Sequence, residues 1–245
     1  MDPSLAPRRN EHGQPIGEAV AGWEGARIPT RVPLTGEVVR LEPVTEAHAE
    51  PLHDSLCGPG NAALWTYRPL PMPADLAGLR TMVAAAAADP VTVTFALVPV
   101  DGAGAGKARG LATLMRVDAS QGSVEVGGIL YARSLQRTRA ATEAMVLLMR
   151  HVFDDLGYRR YEWKCDSLNE PSRRAAARLG FRYEGRFRQA MVYQGRNRDT
   201  DWFSITDAEW RRLAPAYDAW LDAANFDADG RQRSSLSALT AAALA

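Results

Sequence analysis

The sequence predicts a single α/β (α+β) domain, in which one mixed β-sheet carries helices on its faces. Three observations support this class. Segments rich in β-branched residues alternate with helical patterns, three strand patterns follow one another between residues 91 and 132, and a long amphipathic helix joins the last of them to another strand. The three consecutive strands predict an antiparallel meander, and the helical connection predicts a parallel, right-handed crossover.

The N-terminal half begins with a segment of low periodicity. Residues 1–35 are rich in Pro, Gly and charge, so we expect a flexible or loosely draped arm. The segment EVVRLEPV from Glu37 alternates like a strand, and Thr45 opens a short helix. A loop with the sequence LWTYRPLPMP separates this helix from an alanine-rich second helix.

The central part of the chain contains the meander and the crossover helix. The strands are VTVTFALVPV, RGLATLMRVD and GSVEVGGILYA. The helix that follows has an apolar face with a C-terminal glycine, Gly157, after it. That face consists of Met145, Leu148, Met149, Val152 and Leu156.

The C-terminal half adds three strands and two helices. YRRYEWKCD is a strand, and Asn169 caps a helix that ends at Gly180. FRYEGRFRQAMVYQ and RDTDWFSI complete the sheet. Residues 211–245 hold a terminal helix, which we expect Pro215 to interrupt, and a weakly ordered tail from about Asp227.

Composition excludes several classes of protein. Lys plus Arg and Asp plus Glu number 29 each, so net charge gives no support for a nucleic-acid partner. The apolar segments are too short to cross a bilayer, and we expect neither a membrane partner nor a secretion signal. Two cysteines far apart, Cys57 and Cys165, fit a cytoplasmic location. The histidines are scattered, and no metal ion is expected.

The start of the crossover helix carries an unusual charge pattern. In SLQRTRAATEAM, Arg137 and Arg139 stand where the helix dipole favours anions. A phosphate would satisfy the free amides and the guanidinium groups together, and the small residues that follow allow it close to the backbone. The segment 137–142 is therefore a candidate pyrophosphate site. The alternative is that the arginines are solvated or pair with carboxylates elsewhere.

This segment resembles a motif of the GNAT superfamily of acyl-CoA-dependent N-acetyltransferases, in particular its RimJ/RimL-like branch. The pattern Q/R-x-x-G-x-G/A is matched by Gln136 to Ala141, with Arg139 in place of the central glycine. EVGGIL, SLNEPSRRAAARLGF and YQGRNRDTDWFSI are similar to other segments of the family. The resemblance covers about residues 38–210, which predicts an acetyltransferase domain at 36–210 between two unmatched tails.

The resemblance implies acetyl-CoA as co-substrate and a GNAT-type sheet with a splayed parallel strand pair. GSVEVGGILYA would contain a bulge, which Gly127 and Gly128 also indicate. Asn169 would contact pantetheine through its amide and Ser172 would bond near the thiol, although both residues also suit simple helix capping. The implied cofactor-binding residues are Ile129, Leu130, Tyr131, Gln136, Arg137, Thr138, Arg139, Ala140, Ala141, Thr142, Asn169 and Ser172.

Acetyl transfer to an amine needs a base, because the nitrogen must be neutral to attack. Glu125 is the first candidate, and the alternative is a strand glutamate that pairs with Arg116. Glu162 and Asp166 are weaker candidates. Ser172 or Tyr131 would protonate the departing thiolate. Cys165 has no histidine near it in sequence, which favours direct transfer in a ternary complex.

The expected acceptor is a primary amine of a peptide N-terminus or a small molecule. By similarity to the branch, the loop between the first two helices supplies Trp65, Tyr67 and Arg68, although aromatic residues there also suit ordinary packing. The closing hairpin offers Tyr193, Arg198 and Asp199 as further candidates. A non-catalytic acyl-CoA-binding sensor or interaction module on the same fold is the alternative function. Either a monomer or a homodimer is compatible with the sequence.

Overall fold

A computed structural model describes residues 7–102 and 104–245. Most strands and helices lie close to the positions expected from the sequence. The strands are β1 (Arg8–Arg9), β2 (Pro15–Ile16), β3 (Leu34–Thr35), β4 (Val39–Pro43), β5 (Val93–Pro99), β6 (Gly110–Asp118), β7 (Ser123–Tyr131), β8 (Arg160–Asp166), β9 (Arg182–Tyr193) and β10 (Arg196–Thr206). The α-helices are α1 (Ala49–Leu56), α2 (Leu76–Ala88), α3 (Arg139–Arg150), α4 (Glu170–Arg178), α5 (Asp207–Leu221) and α6 (Leu236–Leu244).

Eight of the described strands form one sheet in the order β3-β4-β5-β6-β7-β8-β10-β9. β7 and β8 are parallel, and the other neighbouring pairs are antiparallel. The parallel pair results from the α3 crossover, because a helical connection of this length returns the chain in the same direction. The predicted mixed α/β fold, including the meander and the crossover, is confirmed.

Two hydrophobic cores hold helices on opposite faces of the sheet. α3 and α5 pack on one face through residues such as Met145, Leu148 and Tyr217. α1 and α2 pack on the other face through Leu52, Leu79 and neighbouring side chains. Burying apolar area on both faces makes the central strands the most strongly fixed part of the molecule.

Local capping explains where α3 begins. Thr138 has extended backbone angles, and its Oγ1 accepts a hydrogen bond from the Ala141 amide at 3.1 Å. This is the usual geometry of a threonine N-cap. The helix continues into a π-helical turn, His151–Asp155, before Gly157 ends it with a φ of +77°.

Two expectations about the C-terminal part are wrong. α5 continues through Pro215 without interruption, so the proline is accommodated inside a fifteen-residue helix. The tail also contains a helix, α6, which packs against α5 and α4 and buries Leu236 and Thr240. Ser235 caps α6, and this burial is a tertiary effect that tail composition does not reveal.

The described part of the N-terminal arm contacts the body of the protein. The Trp23 indole donates to the Ser120 carbonyl at 2.8 Å, and the Ala26 amide donates to Ala119. The arm therefore reaches the turn between β6 and β7. Residues 1–6 of the expected arm lie outside the described residues.

Candidate active site

The sheet opens between its two parallel strands. β7 and β8 are paired from Ser123 and Arg160 as far as Val126 and Trp163. Beyond this point the pairing register between the two strands ends, although both strands continue. The opening exposes backbone groups of both strands to a ligand, because groups at an unpaired strand edge need other hydrogen-bond partners.

A bulge in β7 turns this strand away from β8. Pairing with β6 shifts by one residue between Thr113 opposite Gly127 and Leu111 opposite Leu130. Gly128 lies in this shift with a φ of +63°, where glycine is favoured. A Cβ at Gly128 would lie 2.7 Å from Thr113 Oγ1, so close packing also requires glycine.

A cleft of about 1670 Å³ begins at this opening and continues to the N-terminus of α3. Among the predicted cofactor-binding residues, all except Ala140 line it. The lining carboxylates are Asp89, Glu125, Asp166 and Asp227, and cationic side chains outnumber them. An anionic ligand is therefore electrostatically favoured along much of the cleft.

The start of α3 offers hydrogen-bond donors to the cleft. Within the described part of the chain, the amides of Arg139 and Ala140 donate to no protein acceptor, whereas Thr138 occupies the Ala141 amide. Arg137 has a φ of +63°, an uncommon backbone conformation for a residue with a side chain. Gln136 is held by a hydrogen bond from its Nε2 to the Tyr131 carbonyl. Free amides and the helix dipole together suit a phosphate.

The two arginines of the motif have different surroundings. Arg139 donates to Glu37 Oε2 at 2.8 Å and to the Leu221 carbonyl, and its guanidinium lies over the Phe226 ring. Arg137 is exposed and forms no ion pair within residues 7–102 and 104–245. Arg139 is therefore paired, as the alternative proposed, whereas the Arg137 side chain is solvated and available to a ligand.

Asn169 and Ser172 lie at the start of α4, beside the cleft. The Asn169 Oδ1 accepts the Ser172 amide at 3.2 Å, which is the expected cap. The Trp163 indole donates to Ser172 Oγ at 3.0 Å. Because an indole N–H can only donate, the Ser172 hydroxyl keeps its own proton for another acceptor.

β8 carries a row of charged side chains on one face of the sheet. α1 and α2 cover the same face over other strands. Lys164 Nζ lies 2.9 Å from Glu125 Oε2 and 2.7 Å from Glu162 Oε2, and it packs 3.6 Å from the centre of the Trp202 ring. Arg116 donates to the same Glu125 oxygen at 2.7 Å. Glu125 thus pairs with Arg116, as the alternative interpretation proposed, but it is buried rather than exposed.

The other oxygen of Glu125 faces the bulge. Its Oε1 lies 3.1 Å from the position that a Gly127 Cβ would take, and Glu125 lines the cleft. The carboxylate is therefore held by cations through Oε2 and open to the cleft through Oε1. Lys164 was missed in the sequence, although the alternation of Arg160, Glu162 and Lys164 with aromatic residues in RYEWKCD was a readable signal.

The Tyr131 hydroxyl and the Cys165 side chain are buried next to the opening. The Tyr131 hydroxyl has no hydrogen-bond partner among the described residues, and burial raises its pKa well above the usual value of 10. Burial also raises the pKa of the Cys165 thiol. A thiol in this state is a poor nucleophile, so the geometry is consistent with direct transfer.

The predicted acceptor residues differ in position. Tyr67 and Arg68 line the cleft. Trp65 does not line it, because its ring is buried against α1 and its indole donates to the Leu56 carbonyl. Tyr193 is buried, and its hydroxyl donates to Asp166 Oδ2 at 2.7 Å, so it reaches the cleft through that carboxylate. Arg198 lines the cleft, whereas Asp199 accepts the Gln189 amide in the hairpin.

Two further searches concern metals and membranes. No group of three or more His, Cys, Asp or Glu side chains suited to a metal ion occurs in residues 7–102 and 104–245. Within the same residues, every helix is too short or too polar to cross a bilayer.

Comparison with known proteins identifies the family. Residues 39–182 match the model of the acetyltransferase (GNAT) domain. A GCN5-related N-acetyltransferase from Brucella melitensis is 41% identical, with 91% of this chain and all of that chain covered and a TM-score of 0.87. A GNAT-family protein from Chromobacterium violaceum is 36% identical over 81% of this chain and 98% of its own, with a TM-score of 0.74. The search of curated proteins gave no match.

The splayed parallel strands and the helix start that suits a phosphate occur within the matched segment. The bulge at Gly128 also lies in it. The chain belongs to the GNAT acetyltransferase family.

Proposed function

We propose that this protein transfers an acetyl group from acetyl-CoA directly to a primary amine in a ternary complex. The observation that carries the proposal is the end of β7 and β8 pairing after Val126 and Trp163, beside the Gly128 bulge and in line with the α3 N-terminus. This arrangement provides an unpaired strand edge at one end of the cleft and phosphate donors at the other.

The residues fit acetyl-CoA on chemical grounds. The free amides of Arg139 and Ala140 and the Arg137 side chain would bind the pyrophosphate, and the main chain of residues 129–131 would bind the pantetheine arm. Asn169 has its Oδ1 occupied by the Ser172 amide, which leaves its NH₂ group as a donor. When bound, acetyl-CoA supplies an acetyl thioester whose C–S bond breaks as the new C–N bond forms.

Glu125 is the proposed base. Its Oε1 faces the cleft, while Arg116 and Lys164 hold Oε2. An acceptor amine that loses a proton to Oε1 becomes a neutral nucleophile.

Ser172 is the better proposed donor to the departing thiolate. Trp163 fixes its oxygen and leaves its proton free. Tyr131 is the second candidate, because its buried hydroxyl has no described partner and its raised pKa keeps it protonated. A Ser172→Ala variant with unchanged acetyl-CoA affinity and slower thiol release would favour Ser172.

The central test combines binding with turnover. Calorimetric titration should show that the native protein binds acetyl-CoA and that Arg137→Ala binds it with a higher Kd. A thiol-release assay across an amine panel should identify an acceptor. Arg139→Ala is the matched comparison, since its guanidinium is engaged by Glu37 and Leu221. Lack of acetyl-CoA binding by the native protein would contradict the proposal.

The alternative is an acyl-CoA-binding sensor or interaction module without turnover. It would be favoured if acetyl-CoA bound tightly while no amine in the panel released thiol. The cleft-facing oxygen of Glu125 favours the enzyme, because a pure binding protein does not need a base there.

The finer assignments are also proposals. The motif supports the RimJ/RimL-like branch and a peptide N-terminus as one acceptor. The fold is also shared with a Salmonella typhimurium acetyltransferase, 18% identical, that is described as modifying a ribosomal-protein N-terminal serine. The proposed location is the cytoplasm, and the proposed assembly is a monomer or homodimer without nucleic-acid, membrane or metal partners.

A further inference from the structure

Arg68 is a charged residue in an unusual environment, on the proposed acceptor side of the cleft. It is partly buried, and its Nε is shielded from solvent without a hydrogen-bond partner among the residues described. Its side chain also takes part in no ion pair in this part of the structure. Asp201, in contrast, is fully buried and binds both Arg173 and Arg186.

The backbone around Arg68 is fixed, so the side chain remains at the cleft. The Arg68 amide donates to the Trp65 carbonyl at 3.0 Å, and its own carbonyl accepts Gln194 Nε2 at 2.8 Å. The neighbouring Tyr67 hydroxyl donates to the Leu168 carbonyl at 3.0 Å. The loop is thereby attached both to the β9–β10 hairpin and to the segment after β8.

The carboxylates Glu125 and Asp166 have partners other than Arg68. Glu125 Oε2 binds Arg116 and Lys164. Asp166 accepts the Tyr193 hydroxyl and the Leu168 amide. A guanidinium that is partly removed from water without a counter-ion is unfavourable, and burial accordingly lowers the pKa of Arg68. A ligand anion would relieve this cost, and a carboxylate matches the guanidinium fork in shape.

Arg68 and the proposed base lie beside adjacent residues of the bulge. Arg68 Nη1 is 3.8 Å from the position of a Cβ on Gly128, and Glu125 Oε1 is 3.1 Å from that on Gly127. Thr113 on β6 packs against Gly128 on the same face. The proposed base and the guanidinium that has no ion pair among the described residues thus lie beside neighbouring residues of the same bulge.

Resting on the proposed function, we infer that the acceptor is a small amino-acid-like molecule whose carboxylate binds Arg68 while its amine approaches Glu125. Because both protein groups lie at the same bulge, we expect an acceptor that carries its carboxylate near its amine, as an amino acid does. The cleft therefore selects its substrate by a negative charge as well as by an amine.

Matched acceptors provide the test. The native protein should acetylate an amino acid with a kcat/KM about 10 to 100 times that of the same amino acid as its carboxamide, the range expected for one charge-assisted interaction. Arg68→Met should remove this preference by lowering kcat/KM for the carboxylate alone, and Arg68→Lys should restore part of it. Arg196→Met is the control, because Arg196 binds the same loop through the Thr66 carbonyl but does not line the cleft.

A binding measurement separates this inference from the proposed function. Titration of the CoA-bound protein with free amino acids should give a signal that Arg68→Met abolishes and Arg196→Met retains, whether or not turnover occurs. Equal activity of the native protein on carboxylates and carboxamides would overturn the inference and leave the acetyltransferase proposal intact. An equal loss of kcat/KM for the amino acid and its carboxamide in Arg68→Met would also overturn the inference, because Arg68 would then act at the thioester. If the native protein bound neither acetyl-CoA nor amino acids, both this inference and the proposed function would be overturned.

Discussion

Two buried glutamates on either side of the central sheet have different hydrogen-bond partners. Glu143 on α3 accepts hydrogen bonds from the amides of Glu37, Val38 and Val39 at 2.9, 2.7 and 3.0 Å. Glu125 on β7 is equally buried, but its partners are two cationic side chains that bind only one of its oxygens. Burial alone therefore does not distinguish a structural carboxylate from a chemical one.

The difference lies in which atoms remain available. The backbone amides around Glu143 use both of its oxygens and attach the start of β4 to the crossover helix. The cations around Glu125 contact Oε2, and Oε1 lies beside the glycine pair that borders the cleft. A carboxylate satisfied by backbone stabilises the fold, and one with a free oxygen beside a cleft can exchange protons.

The largest expected effect is on catalysis. Glu125→Gln should lower kcat/KM at neutral pH by about 10²- to 10⁴-fold, because the acceptor amine loses its base. Activity should recover partly at high pH, where the amine deprotonates without help. Steady-state thiol release across pH provides the measurement.

Glu162→Gln is the matched control for this prediction. Glu162 also pairs with Lys164 but does not line the cleft, so its loss should change the rate much less. A larger loss of rate in Glu162→Gln than in Glu125→Gln would contradict the assignment of Glu125 as the base.

The second prediction concerns stability. Glu143→Ala should lower the free energy of unfolding by about 3 to 5 kcal/mol, since three buried amides lose a charged acceptor. Chemical denaturation measures this loss. Glu143→Gln should cost less, because an amide oxygen still accepts hydrogen bonds. Turnover per folded molecule should change little, and a fall comparable to that of Glu125→Gln would contradict the structural role.

A smaller effect is expected at the α3 N-terminus. Arg137→Ala should weaken acetyl-CoA binding about 10-fold, because one charged contact to phosphate is lost. The effect should shrink at high salt, where exposed charges are screened. Arg139→Ala should instead reduce thermal stability, since Arg139 joins α3 to Glu37 and the end of α5. Equal affinity losses in the two variants would contradict this division.

The smallest effect is a pH dependence at the solvent end of the charged row. Arg160, which hydrogen-bonds to Glu184, lowers the pKa of that carboxyl below its ordinary 4.5. This pair therefore contributes stability above about pH 4.5 that is lost as the pH falls through the folded-state pKa. Urea unfolding midpoints of the native protein and Glu184→Gln should converge in acid. A constant difference between them would contradict the prediction.

Several features of the site could be predicted from local sequence. The glycine pair in β7 indicated the bulge, and Asn169 indicated the start of α4, because these depend on backbone conformation and neighbouring residues. The continuous α5 and the packed α6 were not predicted, since tertiary burial overrides a proline and a weak composition signal.

Contacts between distant segments could not be predicted in the same way. Lys164 meets Glu125 across two strands, and Arg139 meets Glu37 across 102 positions. The alternating charges of β8 carried a signal for a polar face, but only the neighbouring strand shows which partners fill it.

The sequence by itself determined the order of strands and helices, the bulge and the position of the crossover helix, because these follow from periodicity, glycine and capping within short segments. Tertiary structure decided which arginine of the motif is free, which oxygen of Glu125 faces the cleft and that Arg68 forms no ion pair with the described residues. The reason is physical: the state of a charge depends on what surrounds it in space, and its neighbours here come from segments far apart in the chain.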